Sequence, residues 1–458
     1  LFHYFRAINA TEMKWFKRIS GILFLLIVIA IGFNYPKLTL ISGYSSKYVA
    51  SSAFIAGHSK SYIEANDNNI PNIKLATNEL DYPMKKASAR VFGFQKREAI
   101  YKEGLGAILL PKGVSALDLD HFLIPRRNLT PIEKPYPIGH LAPLDTVLPT
   151  VDYSAIQNAL DLVFKDNHLQ KSRSALILYK GQLIGEKYID GFGPDTPVLG
   201  WSMTKSVIAT IYGILEYQGK LSVSDRVAFE DWAKDERAHI TIDDLLRMQS
   251  GLAFEEDYSV ISDVTNMLFN EADMAQVAID RPSIAMPEKI WSYSSGTTNI
   301  LSKYLKSFSS DAQQYLDFPY AQLIDKIGMH SMVIETDMVQ TFVGSSYGWA
   351  STRDWARFGL LYLQNGIWDG SIIFSDRWVN YISSPTKSSN GAYGAHFWLN
   401  ADGHLKDAPK DLYSANGHDG QHVYVIPSKD LVIVRTGLGE RPDYRANDFI
   451  AAVVAAVE

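Results

Sequence analysis

The sequence predicts an α+β (mixed α/β) fold, in which one antiparallel sheet is built from both ends of a domain and is flanked by helices. Two patterns predict the strands. Residues 174–179 and 182–188 are apolar runs around a Lys-Gly turn, and residues 422–426 and 431–436 flank Pro-Ser-Lys-Asp. Between these two hairpins the apolar spacing is mostly helical, so a long helical middle separates the first strands from the last.

Helices are predicted from apolar spacing and from residues that favour helix ends. Residues 203–218 carry apolar side chains at helical spacing, and Gly219 follows as a C-terminal cap. Thr241 and Asp244 form a capping-box pattern, which predicts a helix ending near residues 250–251. Two further helices are predicted at residues 354–364 and 447–457.

Composition excludes several classes of protein. The chain has 458 residues, of which 47% are hydrophobic and 21% charged, and this balance is typical of a folded protein rather than a disordered one. The net charge of −6 gives no basic excess that would indicate a nucleic-acid partner. The absence of cysteine excludes disulfides, thiolate metal ligands and a cysteine nucleophile.

We predict three parts along the chain. Residues 1–37 form a signal anchor or signal peptide, residues 38–150 an accessory region with a linker, and residues 151–458 the catalytic domain. The accessory region has strand-like apolar runs at residues 99–111 and no group of residues that suggests chemistry. Its proline-rich residues 124–143 predict a linker or an extended strap.

The N-terminal part contains an uncharged apolar run at residues 19–33, preceded by Lys14, Lys17 and Arg18. This order predicts an uncleaved signal anchor in the inner membrane, with a cleaved signal peptide or a buried helix as alternatives. Positive charges ahead of the run place the rest of the chain outside the cytoplasm, in the periplasm. Met13 stands directly before the basic residues, and our hypothesis is that it is the true initiator.

The strongest chemical motif is Ser202-Met-Thr-Lys205, where a loop enters a strongly apolar helix. Residues three apart share a helix face, so the amine can reach the hydroxyl. The helix N-terminus favours a developing oxyanion, and its field together with burial should lower the pKa of Lys205 until it can act as a base. A second match, Ser384-Pro-Thr-Lys387, lies in a polar loop without such a helix and is interpreted as a chance occurrence.

Two later motifs complete the candidate site. Tyr293-Ser-Ser295 offers a tyrosine that can relay a proton, and a nearby cation is expected to lower the pKa of that tyrosine. His418-Asp-Gly420 precedes a predicted strand, so the backbone N–H of Gln421 is a candidate oxyanion donor. A metal site built on His418 and the histidine four residues later is rejected, since four residues of strand span about 13 Å.

These motifs, in this order, resemble those of the serine β-lactamase and penicillin-binding-protein superfamily. The class C-like branch, with its esterases, D-aminopeptidase-like enzymes and 6-aminohexanoate-dimer hydrolases, is the nearer match. Further similar stretches lie at residues 240–252, 287–302, 348–366 and 416–437, so the resemblance covers about residues 150–458.

The resemblance implies a β-lactamase/transpeptidase-like fold and a role for each motif. Ser202 would be the acylated nucleophile, Lys205 its base and Tyr293 the proton relay. The backbone N–H groups of Ser202 and Gln421 would form the oxyanion hole. The remaining implied residues would bind substrate, and they are Ser295, His418 and Gly420. No metal and no cofactor is implied.

Two departures from the family pattern bear on the substrate. Ser295 stands where an asparagine often holds a substrate amide, and His418 stands where lysine often provides a permanent cation. Both changes favour an esterase or amidase that acts on neutral or small substrates over a potent β-lactamase. The expected partner is a small-molecule ester or amide, or a short peptide. The alternatives are a protein that binds cell-wall peptide without turnover, a D,D-peptidase and a β-lactamase.

Overall fold

The computed structural model describes residues 10–111, 114, 119–439 and 442–458. Its strands are β1 (Ala76–Asp81), β2 (Lys86–Val91), β3 (Phe94–Lys102), β4 (Gly106–Leu109), β5 (Ser172–Tyr179), β6 (Gln182–Tyr188), β7 (Pro197–Leu199), β8 (Val333–Ile334), β9 (Gly348–Ser351), β10 (Ile367–Trp368), β11 (Ser371–Ile372), β12 (Trp398–Leu399), β13 (Tyr413–Gly417), β14 (Gln421–Ile426) and β15 (Leu431–Gly437). Its helices are α1 (Ala10–Phe54), α2 (Lys60–Ala65), α3 (Tyr153–Phe164), α4 (Asn167–Gln170), α5 (Met203–Tyr217), α6 (Ile242–Leu246), α7 (Asp263–Phe269), α8 (Met274–Ile279), α9 (Ser295–Tyr304), α10 (Ala312–Pro319), α11 (Thr352–Leu363), α12 (Asp376–Ser383) and α13 (Ala446–Ala455).

The main sheet joins strands from the two ends of the catalytic part of the chain. Its order is β12-β13-β14-β15-β5-β6, and every neighbouring pair is antiparallel. The two ends are joined by the pairing of β15 with β5, in which Val432 lies opposite Leu178. The predicted α+β fold, with its two hairpins brought together in one antiparallel sheet, is therefore confirmed.

Both faces of this sheet are covered by helices. Along β5, Leu176 and Leu178 pack into one buried cluster with apolar residues of α5 and α11. The alternate residues Ala175 and Ile177 pack into a second cluster with α3 and α13. Because successive strand side chains point to opposite faces, an unbroken apolar run predicts a strand that is buried on both sides.

The predicted helices are present, with one difference in length. The helices α5, α11 and α13 lie within two residues of their predicted ends. The capping box of Thr241 and Asp244 is formed, but α6 ends at Leu246 rather than near residue 250. The chain leaves the helix because Arg247 has non-helical angles and Met248 adopts a positive φ of 60°.

The accessory region packs tightly against the catalytic part. The sheet β1-β2-β3-β4 and the C-terminal half of α1 share a buried apolar cluster with Trp201 and Trp349. Lys47 of α1 forms a buried ion pair with Glu335, with Nζ and Oε2 2.7 Å apart. The indole N–H of Trp349 also donates to Glu335, at 2.9 Å. The domain boundaries at residues 37 and 150 stay a prediction, although these contacts join the two parts.

The proline-rich residues 124–143 lie as an extended strap on the catalytic part. Arg127 donates from Nε to Asp325 at 2.7 Å. Arg357 of α11 donates to the carbonyls of Pro137 and Gly139, at 2.9 and 2.6 Å. Backbone carbonyls that have no ladder partner are thus satisfied by a buried guanidinium, which is how an irregular segment can be buried at all.

The N-terminal predictions have a different outcome. Among the described residues we find no helix with enough length and apolar character to span a membrane, so the predicted signal anchor has no support here. Residues 1–9 and the side chain of Met13 lie outside the described part of the chain, and so does the hypothesis about the initiator. The location outside the cytoplasm stays a prediction.

The buried ion pair gives a stability prediction. In Lys47→Met, Glu335 loses its cationic partner, and both side chains of the pair are at most 4% exposed in the native protein. Breaking a buried pair by removing one partner costs about 3–5 kcal/mol. We expect the free energy of unfolding to fall by that amount in urea denaturation of the full chain.

The control is Lys187→Met, which breaks the pair of Lys187 with Asp161, whose side chains are 37% and 52% exposed. Exposed pairs contribute at most about 1 kcal/mol. Equal losses in the two variants would contradict a role for Lys47 in holding α1 on the catalytic part.

Candidate active site

Ser202 lies at the first turn of α5, held there by a tight approach loop. Gly200 packs so closely on the Trp355 ring that an added Cβ would lie 2.3 Å from it, and Trp201 adopts a positive φ of 48°. Ser202 occupies the N-cap position of α5, but its side chain makes no capping hydrogen bond. Its hydroxyl instead accepts a hydrogen bond from the Nζ of Lys205, at 3.0 Å.

Lys205 is buried beneath this serine, with 1% of its surface exposed. Its Nζ donates to Ser202 Oγ and Ser295 Oγ, both at 3.0 Å, and to the carbonyl of Ser345 at 2.8 Å. Burial lowers the pKa of Lys205 to about 8, and the negative charge of Glu256 opposes this shift. The direction agrees with the expectation from the sequence, and the amine is partly neutral near neutral pH.

Tyr293 lies beside the same amine, with the centre of its ring 5.0 Å from Lys205 Nζ. The sequence predicts a lowered pKa for this phenol, and that prediction is wrong. Burial raises the pKa of Tyr293, and this effect exceeds the opposing effect of a hydrogen bond with Ser202. A buried phenolate loses its hydration, and the negative charge of Glu256 disfavours it further. Tyr293 is therefore a neutral proton donor at physiological pH.

Ser295 is fully buried at the start of α9, where it contacts Lys205 and Glu256. The Glu256 carboxylate accepts the Ser295 hydroxyl at 2.5 Å and the Ser295 backbone N–H at 2.7 Å. Ser295 is predicted as a substrate contact from the sequence. It is fully buried and is not among the residues that line the cleft, so its substrate-binding role stays a prediction.

The third motif forms a turn between β13 and β14. Asp419 and Gly420 adopt positive φ angles of 61° and 76°. The His418 ring stacks on Tyr258, with centres 5.7 Å apart, and meets Trp201 edge to face at 5.4 Å. Since 40% of its side chain is exposed, His418 presents its ring to the cleft next to Ser202.

Gln421, the predicted second oxyanion donor, lies farther back. It is 3% exposed, pairs with Gly417 in the β13–β14 ladder, and donates from Nε2 to the carbonyl of Gly437 at 2.5 Å. Gly417 approaches the loop before Ser202 so closely that an added Cβ would lie 2.1 Å from the Gly200 carbonyl. Gly417 and His418 line the cleft, whereas Gln421 does not, and its oxyanion role stays a prediction.

These residues open into a cleft of about 490 Å³ above Ser202. Its walls carry the aromatic rings of Tyr258, Tyr293 and Trp398 and the imidazoles of His404 and His418. Within the part of the chain that the structure describes, no group of three or more histidine or acidic side chains is placed to hold a metal ion. The cleft suits an organic substrate with apolar parts.

Three contributors to this site carry no motif in the sequence. Glu256 and Tyr258 come from an irregular loop, and Ser345 contributes only a carbonyl. The acidic pair at residues 255–256 is a weak signal, because no motif in the sequence connects it to Ser202. In the second Ser-x-x-Lys match, the Ser384 hydroxyl donates to the carbonyl of Asn380 at 2.6 Å, as expected for a chance occurrence.

Comparisons with known proteins show the family and the fold of the chain. The family model described as Beta-lactamase matches residues 167–456. A 6-aminohexanoate-dimer hydrolase from Paenarthrobacter ureafaciens is 21% identical over 351 residues, which are 70% of this chain and 82% of that protein.

Solved structures share the fold. A candidate 6-aminohexanoate-dimer hydrolase from Bacillus anthracis superposes with a TM-score of 0.57 at 16% identity, over 87% of this chain and 94% of that one. A family VIII carboxylesterase superposes with a TM-score of 0.54 at 14% identity, over 69% and 100%.

The geometry predicts a selectively reactive serine. We expect a fluorophosphonate probe to label the full chain at Ser202, and the labelling rate to rise with pH through about 8, where Lys205 loses its proton. Labelling should disappear in Ser202→Ala and be unchanged in Ser384→Ala, as read by mass spectrometry of the labelled peptide. Labelling that persists in Ser202→Ala would contradict the assignment.

Proposed function

The chain belongs to the Beta-lactamase family and is a serine hydrolase, and we propose that it cleaves an ester or amide bond through a covalent acyl-enzyme on Ser202. The observation that carries the proposal is the contact of 3.0 Å between Ser202 Oγ and the Nζ of Lys205. This amine is buried, and its pKa of about 8 makes it a base that works near neutral pH.

Acylation begins when neutral Lys205 accepts the proton of the Ser202 hydroxyl. The Ser202 oxygen then attacks the carbonyl carbon of the substrate, and the negative charge moves to the carbonyl oxygen. The backbone N–H of Ser202 and the positive end of the α5 dipole stabilise that oxygen. With a pKa of about 8, about a tenth of the Lys205 amine is neutral at pH 7, which is enough for turnover.

Collapse of the tetrahedral intermediate breaks the bond to the leaving group, which takes up one proton. Tyr293 is placed to deliver it, because its phenol is neutral, hydrogen-bonds Ser202 and lies against Lys205. The proton that Lys205 holds then replaces the one that Tyr293 gave up. Water attacks the acyl ester by the same route in reverse, which releases the acid and restores the Ser202 hydroxyl.

The substrate class follows from the cleft and from the relatives. The rings of Tyr258, Tyr293 and Trp398 favour an acyl or leaving group with apolar parts. The related proteins are named as hydrolases of a 6-aminohexanoate dimer and of carboxylic esters. We therefore expect esters and simple amides to be better substrates than β-lactams.

The test is a panel of p-nitrophenyl esters, 6-aminohexanoate dimer, D-alanyl peptides and nitrocefin on the purified full chain. Turnover of esters or of the dimer, lost in Ser202→Ala, is the expected result. Release of D-alanine or cleavage of nitrocefin as the best reaction would make the chain a peptidase or a β-lactamase. Binding of D-alanyl peptide without turnover or labelling would support a binding protein.

The base role of Lys205 gives a sharper prediction. Arginine stays protonated and cannot accept the serine proton, so Lys205→Arg should be nearly as damaging as Lys205→Ala. Loss of a general base lowers kcat by about 10²–10⁴-fold. The matched control is Lys387→Arg in the second Ser-x-x-Lys match, which should be as active as the wild type. An active Lys205→Arg variant would show that only positive charge is needed.

We also propose that the chain works outside the cytoplasm. The basic residues Lys14, Lys17 and Arg18 precede the apolar run, and on α1 the side chains of Ile22 and Phe24 are 60% and 69% exposed. Fractionation of cells that express the full chain tests this, together with digestion by a protease added to spheroplasts. Protection from the protease, with all activity in the cytosolic fraction, would overturn the proposal.

A further inference from the structure

We infer that Glu256 is a positioning residue that fixes the direction of the hydrogen bonds around Lys205, so that the lone pair of the neutral amine faces Ser202. The role rests on the proposed chemistry of Ser202 and Lys205, and it is carried by three contacts. Ser295 Oγ lies 2.5 Å from Glu256 Oε1 and 3.0 Å from Lys205 Nζ, and the Ser295 backbone N–H lies 2.7 Å from Glu256 Oε2.

The direction follows from what each group can donate. A carboxylate can only accept, so the single hydrogen of the Ser295 hydroxyl points to Glu256. Towards Lys205, Ser295 can then only accept. The carbonyl of Ser345, 2.8 Å from the same amine, is also an acceptor only.

Neutral Lys205 has two N–H groups and one lone pair. The two hydrogens are taken by Ser295 and by the Ser345 carbonyl. The lone pair is left for the remaining partner, Ser202, whose hydroxyl oxygen is 3.0 Å away. The neutral amine is thereby oriented as a base before any substrate binds, and no side chain has to turn.

In Glu256→Gln the direction of these hydrogen bonds is reversed. The amide oxygen of glutamine must accept the Ser295 backbone N–H, so its NH₂ group faces the Ser295 hydroxyl. Ser295 now accepts from residue 256, and its own hydrogen turns to the Lys205 lone pair. Ser295, which orients Lys205 in the wild type, then competes with Ser202 for the lone pair of the Lys205 amine.

Other titratable groups face this cluster. Tyr293 packs on the Lys205 amine, Tyr258 shares a hydrogen bond with Ser295, and His418 stacks on Tyr258. Because Glu256 takes the single hydrogen of the Ser295 hydroxyl, the Tyr258 phenol is the donor to Ser295. His396 lies behind α5, where burial lowers its pKa to about 3, so it stays neutral across the pH range used. Removal of the Glu256 charge removes an effect that raises the pKa of Lys205.

The experiment measures kcat and KM of the full chain from about pH 5.5 to 9.5, a range that brackets the Lys205 pKa, with the best ester of the panel. The variants are Glu256→Gln, Ser295→Ala, the double variant of these two, and His418→Gln. The matched control is Glu255→Gln, which removes the same charge from an exposed neighbour on the same loop.

We expect Glu256→Gln to lower kcat about 10- to 100-fold, the size of one misdirected hydrogen bond to a charged group, with little change in KM. The acidic limb of kcat/KM should move to lower pH, because the Lys205 pKa falls when the nearby negative charge is removed. Ser295→Ala should lower kcat in the wild type but raise it in Glu256→Gln, since it removes the competing hydroxyl. Glu255→Gln should change neither.

The outcomes that overturn the inference are distinct. If Glu256→Gln loses thermal stability, keeps the wild-type pH profile and is not rescued by Ser295→Ala, then Glu256 only stabilises the start of α9 and does not orient Lys205. A change confined to KM would make Glu256 a substrate contact. An acidic limb that moves in His418→Gln and not in Glu256→Gln would assign that limb to His418.

If Ser202→Ala is inactive while Glu256→Gln equals the wild type, the proposed function stands and this inference fails. Activity in Ser202→Ala would refute the proposed function itself.

Discussion

The site depends on one buried amine, that of Lys205, which donates hydrogen bonds to two hydroxyls and a backbone carbonyl rather than to a carboxylate. Loss of water around Lys205 disfavours its charged form and lowers its pKa, and the negative charge of Glu256 opposes this shift, so that the pKa is about 8. A carboxylate in direct contact would hold the amine protonated, and complete burial without acceptors would make it too weak a base. The Ser295 hydroxyl lies between Glu256 and Lys205. The negative charge of Glu256 therefore raises the pKa of Lys205 without forming an ion pair with it.

Three separate segments of the chain hold the hydrogen-bond partners of Lys205 in place. Ser202 and Lys205 share the first turn of α5, Ser295 begins α9, and Ser345 lies on the loop before β9. These segments approach one another at positions without side chains. At Gly348 an added Cβ would lie 2.5 Å from Thr204 Oγ1, and at Gly417 it would lie 2.1 Å from the Gly200 carbonyl. Such close approaches leave little freedom for the nucleophile to move, which is the condition for a preorganised site.

The accessory region is part of this arrangement rather than an appendage. Tyr48 of α1 packs on Trp201, with ring centres 6.2 Å apart, and Trp201 is the residue directly before the nucleophile. Two buried ion pairs hold the region in place, Lys47 with Glu335 and Arg173 with Asp67. Buried pairs are costly to form and costly to break, so they secure one specific docking of α1 more than they add net stability. The conformation of Trp201 is thus supported from both parts of the chain.

The sequence by itself determined the antiparallel sheet, helices α5, α11 and α13, and the pairing of Ser202 with Lys205, because strand alternation, helical spacing and a three-residue separation are local properties. It also distinguished Ser202 from Ser384 by the apolar helix behind the first. Only the tertiary structure decided the raised pKa of Tyr293, the burial of Ser295 and the entry of Glu256 into the site. Burial and distance between residues far apart in the chain set those properties, and neither is encoded in any short stretch of residues. For the same reason, the position of Gln421 in its motif is clear from the sequence, but only the structure shows that Gln421 does not line the cleft as Gly417 and His418 do.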